Sequence, residues 1–572
     1  MLFRSEKLLK EIENKINENE AMELMALIVW IQHTKTGDIS ECNGFNRKYN
    51  NYLWSLINSR LENCLTYKCN KHAGCYYRSI KESALESDVL IINHSMLISY
   101  QDKQDLFIKN KAVCIIDECH NFHSICKKQS SQSAGQKQLI EQKKSLINHI
   151  NYLSNNNVSQ DIIKDSNSLL TILDDLLILF SNFCQELYSL NIHDSYESEY
   201  IQNISINRND VFPDSYATGI DFLVKLSEFF VSCKKHRTIL NKEVINNGSN
   251  NFLLEFDFLL KDIEELYFIF DNIIKNKDES INWFSYKFFN NSLDDLSLNS
   301  APNDLSKITH KIFNKFSSTL FCSATLSTNS GFDFFIQQMG LSDLMFQDNI
   351  KVKKYSSPYY YSDQTKLFII NSDQKLNEYE YIKKIGLDII EISKKLNKRI
   401  LVLCTSFKQI YNFEKVINNS TNSSGKFLFQ TKGTSKDVLI SEYLQKTDSV
   451  LFGTNTFWEG IDFPEDKLEV LIIFKLPFSN PNDPYVKANI DYYLSKNLDA
   501  FINYQLEETI IRLKQGFGRL IRSYNDMGVC IITDPRIMKK RYGKHIIDSL
   551  PLEPTYYSNS SFLIHEIEKF LT

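Results

Sequence analysis

The feature that most constrains this chain is a series of short apolar runs, each ending in polar, chemistry-bearing residues. They are "AVCIIDE" (112–118), "STLFCSAT" (318–325), "KLFII" (366–370), "RILVLCTS" (399–406), "DSVLFGTN" (448–455), "LEVLIIFKLPF" (468–478) and "GVCIITD" (528–534). An earlier run, "DVLIINH" (88–94), carries the same buried-strand signal. Amphipathic helical stretches alternate with these runs. Strand–helix alternation of this kind predicts α/β domains with parallel sheets covered by helices on both faces. A chain of 572 residues is too long for one core.

In open α/β sheets, function gathers just past the carboxyl ends of strands. Here those positions hold Asp117 and Glu118, then Ser323-Ala324-Thr325, then "GTNTFWEGIDFP" (453–464). A helix is expected in "IIRLKQGFGRLIRS" (510–523), with Gln515, Gly518, Arg519 and Arg522 close together on its surface. Each fits phosphoryl chemistry. An acid after a hydrophobic strand can hold Mg²⁺, and the adjacent Glu can orient an attacking water. Arg519 and Arg522, three apart on one helix face, can reach charge developing on a transferring phosphoryl group. Singly, such an acid pair is more often a solvated strand end, and such arginines more often surface ion pairs. Four signals in order make coincidence a poor explanation. The competing reading of Asp117, Cys119 and His120 as a hydrolytic metal site fails on geometry, because adjacent residues point apart and no H-E-x-x-H occurs.

Residues 121–300 differ in kind, with long helical periodicities such as "SLLTILDDLLILFSNFCQELYSL" and few strand signals. They are expected to form a largely helical insertion. "EKLLKEIENKINENEAMELMALIVWI" near the start also reads as helical. The net charge of −5 argues against indiscriminate polyanion binding, although a local basic groove can sit on an acidic protein. No apolar run approaches the roughly 20 residues that span a bilayer. Residues 1–20 are too acidic for a transit peptide. A cytoplasmic protein without a membrane partner is the expectation.

"IIDECH", "LFCSATL", "SPYYYSDQTKLFI", "FGTNTFWEGIDFPEDKLEVLIIFKLPF" and "QGFGRLIRS" resemble helicase motifs II, III, V and VI of the DinG/XPD family, and "IINHSMLI" (91–98) is similar to the strand before its DEAH box. The resemblance implies a superfamily 2 helicase with two RecA-like motor domains, 5′→3′ translocation on single-stranded DNA, forked or structured duplex substrates, ATP, Mg²⁺ and an iron–sulfur domain. It implies catalytic roles for Asp117 (on Mg²⁺), Glu118, His120, Gln515, Arg519 and Arg522, nucleotide contacts from Gly460 and Asp462, and coupling through Ser323, Ala324 and Thr325. His120 then links the nucleotide site to the coupling motif, and Cys119 has no chemistry. The implied domains are a first motor at 1–120 and 301–345, an iron–sulfur-type insertion at 40–85, an arch at 121–300, and a second motor at 346–572.

Most of the 12 cysteines sit in or beside apolar runs, as Cys114, Cys322, Cys404 and Cys530 do, and read as thiols of a reducing compartment. "CLTYKCNKHAGC" stands apart: Cys64, Cys69 and Cys75 in a polar loop suit Zn or Fe–S. The spacing resembles three of the four ligands of a [4Fe–4S] cluster. The fourth has no match, although Cys42 and His72 are nearby.

A nucleotide motor also needs a phosphate loop, G-x-x-x-x-G-K-[ST]. Gly425-Lys426 is followed by Phe and Gly543-Lys544 by His, so neither qualifies. The expectation is a first motor domain that lacks its P-loop region and exposes apolar sheet edges. Such a polypeptide should hydrolyse ATP negligibly, whether as a truncated helicase or as a non-catalytic DNA-binding remnant. For DNA, the candidates are Phe457 and Trp458 as stacking platforms and the basic clusters "KVKK" (351–354) and "KKHR" (234–237).

Overall fold

The computed structural model describes residues 18–42, 44–45, 76–99, 112–155, 158–189, 198–206, 212–247, 251–275, 280–289, 292–346, 349–370, 377–420, 426–431, 434–458, 468–521 and 523–571. The helix Glu18–His33 packs Leu24, Leu27 and Trp30 against Cys42 and Phe45 in a small core of its own. The run "DVLIINH" does not form a strand: residues 88–93 are irregular, and Val89 and Ile91 are 79% and 92% exposed. No neighbouring strand among the described residues offers it a ladder, and the helix His94–Ser99 begins at its last residue.

Strand β1 (Val113–Ile116) follows and delivers Asp117. The helix Phe122–Gln129 comes next, and its Phe122 and Cys126 are buried in one cluster with Ile116. The core around β1 therefore continues past residue 120. Then comes the insertion, which carries more sheet than its sequence suggests. β2 (Gln132–Gly135), β3 (Ser198–Ser205), β4 (Ser280–Phe289) and β5 (Ser292–Pro302) form an antiparallel sheet in the order β2-β5-β4-β3. Four long helices pack on it: Gln136–Asn155, Gln160–Ser189, Phe212–Asn247 and Asn251–Lys275. Their shared core holds Leu173, Leu176, Phe180, Phe222 and Phe270. Gln160–Ser189, the one described helix long and apolar enough to cross a bilayer, contributes its Leu and Phe face to this core.

The chain returns through the helix Ser306–Phe313 to β6 (Ser318–Phe321), which pairs in parallel with β1, Ile116 opposite Phe321. Among the described residues one face of this pair is bare: Val113, Ile115 and Leu320 are each more than half exposed. A parallel pair normally has both faces covered, and no described element covers this one.

The second motor unit contains β7 (Thr365–Ile370), β8 (Ile400–Leu403), β9 (Phe427–Phe429), β10 (Val450–Gly453), β11 (Val470–Ile473), β12 (Gly528–Ile532) and β13 (Pro554–Tyr557). All seven are parallel, in the order β13-β7-β12-β11-β8-β10-β9. Alternation along each strand divides its side chains between two cores. Ile400, Val402, Val470 and Ile472 meet the helices Glu378–Leu396, Phe407–Ser420 and Ser560–Leu571. Leu401, Leu403, Leu471 and Ile473 meet Ile510, Leu513 and Phe517 of the helix Glu507–Phe517. Burying each aliphatic side chain contributes about 1.5–3 kcal/mol, which is why these strands read as unbroken apolar runs.

Candidate active site

Asp117 and Glu118 are exposed at the carboxyl end of β1. The backbone turns sharply there. Glu118 sits in the left-handed region, φ 47° and ψ 42°, a conformation that costs a non-glycine residue about 1–3 kcal/mol. Two contacts hold the turn: Glu118 N–H donates to Asp117 Oδ1 at 2.9 Å, and Cys119 N–H donates to the Cys322 carbonyl at 3.1 Å. His94 Nε2 lies 2.9 Å from the Asp117 carbonyl oxygen, an anchor from the "IINH" stretch. Sequence reasoning gave His94 no role, although its place beside a strand-like run was the available signal.

The β1–β6 pairing brings motif III to motif II. His120 Nδ1 is 2.8 Å from Ser323 Oγ and 3.3 Å from Glu118 Oε2. Ser323 Oγ also lies within 3.5 Å of Glu118 Oε2 and of Thr325 Oγ1, and accepts from Thr325 N–H at 3.3 Å. Ala324, between them, is exposed and adds no side-chain polarity. The hydrogen bond from His120 holds the Glu118 carboxyl below the usual range, helped by Ser323 and by the Arg519 guanidinium. Glu118 is thus biased toward its ionised form. Cys119 is fully buried and its thiol is pushed up to about 12 by desolvation, so it has neither access nor charge for metal ligation. Cys114, Cys404 and Cys530 are buried too, whereas Cys322 is half-buried, its Sγ 3.7 Å from Asp117 Oδ1.

The second unit approaches with the helix Glu507–Phe517, which a π-helical turn, Phe501–Leu506, precedes. Lys514 Nζ donates to the Ser327 carbonyl at 3.1 Å, tying this helix to the loop after motif III. Tyr493 Oη donates to Gln337 Oε1 at 3.0 Å, and Phe334 joins Tyr493 and Tyr504 in an apolar cluster across the same seam. Gln515 presents a buried Oε1 with no hydrogen-bond partner among the described residues. An orphaned buried acceptor costs about 1–3 kcal/mol, so a donor is expected when the site is loaded.

Arg519 departs from the sequence reading. The helix ends at Phe517, with Gly518 as its C-cap, so Arg519 lies beyond the helix rather than on its surface. It is only 8% exposed, and its Nε and Nη2 donate to the Trp458 carbonyl at 3.0 and 2.7 Å. The shared helix face proposed for Arg519 and Arg522 therefore does not exist at Arg519, and Arg522 lies outside the described residues. Gly516 explains part of this packing, since a Cβ there would stand 2.9 Å from the Trp458 ring.

Phe457 and Trp458 are 0% and 2% exposed and belong to the core, which removes them as DNA stackers. An apolar strand end buries aromatic neighbours more cheaply than it exposes them. The "KKHR" cluster is divided: Lys234 and Lys235 are exposed, and its other two members are engaged within the fold. His236 is fully buried, Arg237 pairs with Asp257 at 2.8 Å, and Lys234 lies over Phe230, all inside the insertion. Gly460, Asp462, Cys64, Cys69, His72 and Cys75 lie outside the described residues. Cys42 is buried among Leu24, Leu27 and Trp30. No group of three or more His, Cys, Asp or Glu able to hold a metal occurs among the described residues. A Mg²⁺–nucleotide site does not require one, because Mg²⁺ is commonly held by one or two carboxylates with phosphate and water. The exposed Asp117 and Glu118 suit that role.

Residues 9–139 match the DEAD_2 family model, and residues 389–553 match the helicase C-terminal domain model. Together these matches support a superfamily 2 helicase of the DinG/XPD family. It is 28% identical over 538 residues to the ATP-dependent DNA helicase YoaA of Haemophilus influenzae, covering 92% of this chain and 76% of that protein. It is 24% identical to the 3′–5′ exonuclease DinG of Bacillus subtilis, covering 96% of this chain and 60% of that protein. Among solved structures, an XPD helicase aligns over 84% of this chain and 75% of its own, at 16% identity and a TM-score of 0.49. The helicase C-terminal match lies within the seven-stranded unit, the DEAD_2 match takes in β1 and reaches the start of the insertion, and the stretch between them, 140–388, contains most of the insertion.

Proposed function

We propose that this chain is the motor of an ATP-dependent DNA helicase of the DinG type, moving 5′→3′ on single-stranded DNA and acting on forked or otherwise structured duplexes. The observation that carries the proposal is the contact of His120 with both Ser323 and Glu118, across the parallel β1–β6 pair. It joins the acid at the hydrolysis site to the loop that Lys514 ties to the other motor unit. Mg²⁺, when bound with ATP, would neutralise charge on the β- and γ-phosphates. Asp117 would hold that ion through its exposed carboxylate, and Glu118, kept ionised by His120, would orient the attacking water. Gln515 offers at the seam an Oε1 without a partner among the described residues, and Arg519 brings positive charge within electrostatic reach of Glu118. An iron–sulfur cluster on Cys64, Cys69 and Cys75 belongs to this proposal by resemblance alone, and no step is assigned to it.

The 572 residues contain no G-x-x-x-x-G-K-[ST] pattern. A polypeptide of these residues alone is therefore expected to hydrolyse ATP negligibly, with or without single-stranded DNA. Fusing a relative's P-loop segment ahead of Met1 should restore DNA-stimulated hydrolysis, and Glu118→Gln in that fusion should abolish it. Robust hydrolysis by the unfused chain would overturn the first statement. A folded fusion that binds nucleotide yet never hydrolyses it would favour a DNA-binding remnant.

A further inference from the structure

The segment that leads into β7 carries a feature that the hydrolysis site does not use. Residues 351–358, "KVKKYSSP", form neither helix nor strand, and all eight are exposed. Tyr355, Tyr360 and Tyr524 are 75%, 71% and 69% exposed, unusual for rings that ordinarily bury most of their area. Lys353 Nζ stands 4.7 Å from the centroid of the Tyr355 ring, and Lys351 and Lys354 flank it along the chain.

Two of these rings, Tyr360 and Tyr524, are mounted on a fixed backbone. Gln364 is buried, and its Nε2 donates to three carbonyls of the loop that bears Tyr524: Ser523 at 3.0 Å, Tyr524 at 3.1 Å and Asp526 at 3.0 Å. The Oε1 of the same side chain accepts the Tyr360 N–H at 3.1 Å. One amide thus fixes the backbone at both Tyr360 and Tyr524. Asp526 closes the loop by accepting from Ser523 N–H at 2.8 Å and Ser523 Oγ at 2.6 Å. Tyr359 fills the space behind, its ring 5.7 Å from that of Tyr524. Rings held outward on a fixed backbone lose little entropy when something stacks on them.

We infer that Tyr355, Tyr360 and Tyr524, with Lys351, Lys353 and Lys354, form a stacking shelf for single-stranded DNA at the junction of the two motor units. Every base has a π-face, so aromatic rings interleaved with cations bind single strands without reading sequence. An open shelf favours a strand over the adenine of ATP, because small-molecule sites are concave and enclose their ligand. Because the shelf joins the linker to the loop following motif VI, it would feel the relative movement of the two units. This inference rests on the DNA-motor reading above and adds a contact surface to it.

The test is binding of a fluorescent oligo(dT) by the purified chain across a range of salt concentrations. The parent chain should bind, with affinity falling as salt rises. Tyr360→Ala and Tyr524→Ala should each weaken binding about 5- to 150-fold, the range for one stacked base. Tyr360→Phe and Tyr524→Phe should retain it, which a merely structural defect would not distinguish by ring alone. Replacing all three lysines with serine should reduce the slope of log affinity against log salt by about 2. If the parent binds and the alanine variants bind equally well, the shelf is overturned and the DNA-motor reading stands. If the parent shows no binding at any salt, the DNA-motor reading falls and the shelf with it. Alanine variants that keep DNA affinity but lose a fluorescent ATP analogue would reassign the rings to nucleotide and overturn the inference.

Discussion

The insertion should be the acid-labile part of this protein, and His149 should be a principal cause. Its side chain is 3% exposed in the helix Gln136–Asn155, and neither ring nitrogen has a hydrogen-bond partner among the described residues. Phe256 packs on it at 5.0 Å, and the His236 ring is edge-on at 6.2 Å. Desolvation, with a smaller contribution from His236, lowers its pKa from 6.5 to about 4. Below pH 6.5 the unfolded chain takes up a proton that the folded one refuses, so stability declines as pH falls and levels off near pH 4. Each tenfold difference in proton affinity between the two states is worth about 1.4 kcal/mol, so the loss across this window is about 3 kcal/mol. His236 is buried as well, and its lowered pKa adds in the same direction. Its Nδ1 contact with Asp165 at 2.6 Å opposes that lowering. His149→Leu removes two unpaired polar atoms and the titration together. Amide hydrogen exchange over residues 136–155, followed by mass spectrometry at pH 7 and pH 5, reads the local opening free energy after correction for intrinsic exchange. The parent should open more readily at pH 5, and His149→Leu should flatten that difference by about 2 kcal/mol, since most of the titration lies above pH 5. An unchanged pH dependence in a folded His149→Leu protein would refute the reasoning.

Three further outcomes follow from particular contacts. Gly516→Ala should destabilise by about 0–2 kcal/mol: crowding of the Trp458 ring at 2.9 Å costs about 1–3, against about 1 gained in helix propensity. Chemical denaturation of the second motor unit measures it, and a gain in stability would show that Trp458 yields freely. Ser323→Ala removes a partner of His120 and Glu118, so the Glu118 carboxyl should titrate at higher pH, observable by NMR of selectively labelled glutamate. No movement would mean that His120 and Arg519 hold the carboxylate without Ser323. Cys114, Cys119 and Cys126, all buried with thiols raised by desolvation, should resist alkylation in the native protein and react once it is denatured. Rapid native labelling of Cys119 would revive it as a reactive or ligating group.

Much of the second motor unit was legible in the sequence because its strands are buried on both faces. "RILVLCTS" and "LEVLIIFKLPF" are unbroken apolar runs, and each became a central strand of the parallel sheet. β9 and β13 were missed because edge strands are short and half exposed, and periodicity carries little weight over three or four residues. The insertion strands escaped for a related reason. "SLDDLSLNSAP" is polar enough to read as a loop until β4 and β2 pair on either side of it. "DVLIINH" fails in the opposite way, since its apolar pattern is a strand signal but a strand exists only where a neighbour supplies hydrogen bonds.

By itself, the sequence determined which residue types stand at the strand ends: Asp117-Glu118, Ser323-Ala324-Thr325 and the glycine–arginine run after Gln515. Short-range chemistry was enough for that, because strand and turn preferences act over a few residues. Tertiary structure decided which of them meet. The β1–β6 pairing sets His120 against Ser323, more than 200 positions away in the chain. Close packing at Gly516 turns Trp458 from an imagined DNA platform into the residue whose carbonyl anchors Arg519, and tertiary contacts bury His236 of "KKHR" and pair Arg237 with Asp257. Burial and long-range pairing are properties of the whole fold, so local pattern could propose those residues but could not choose their partners.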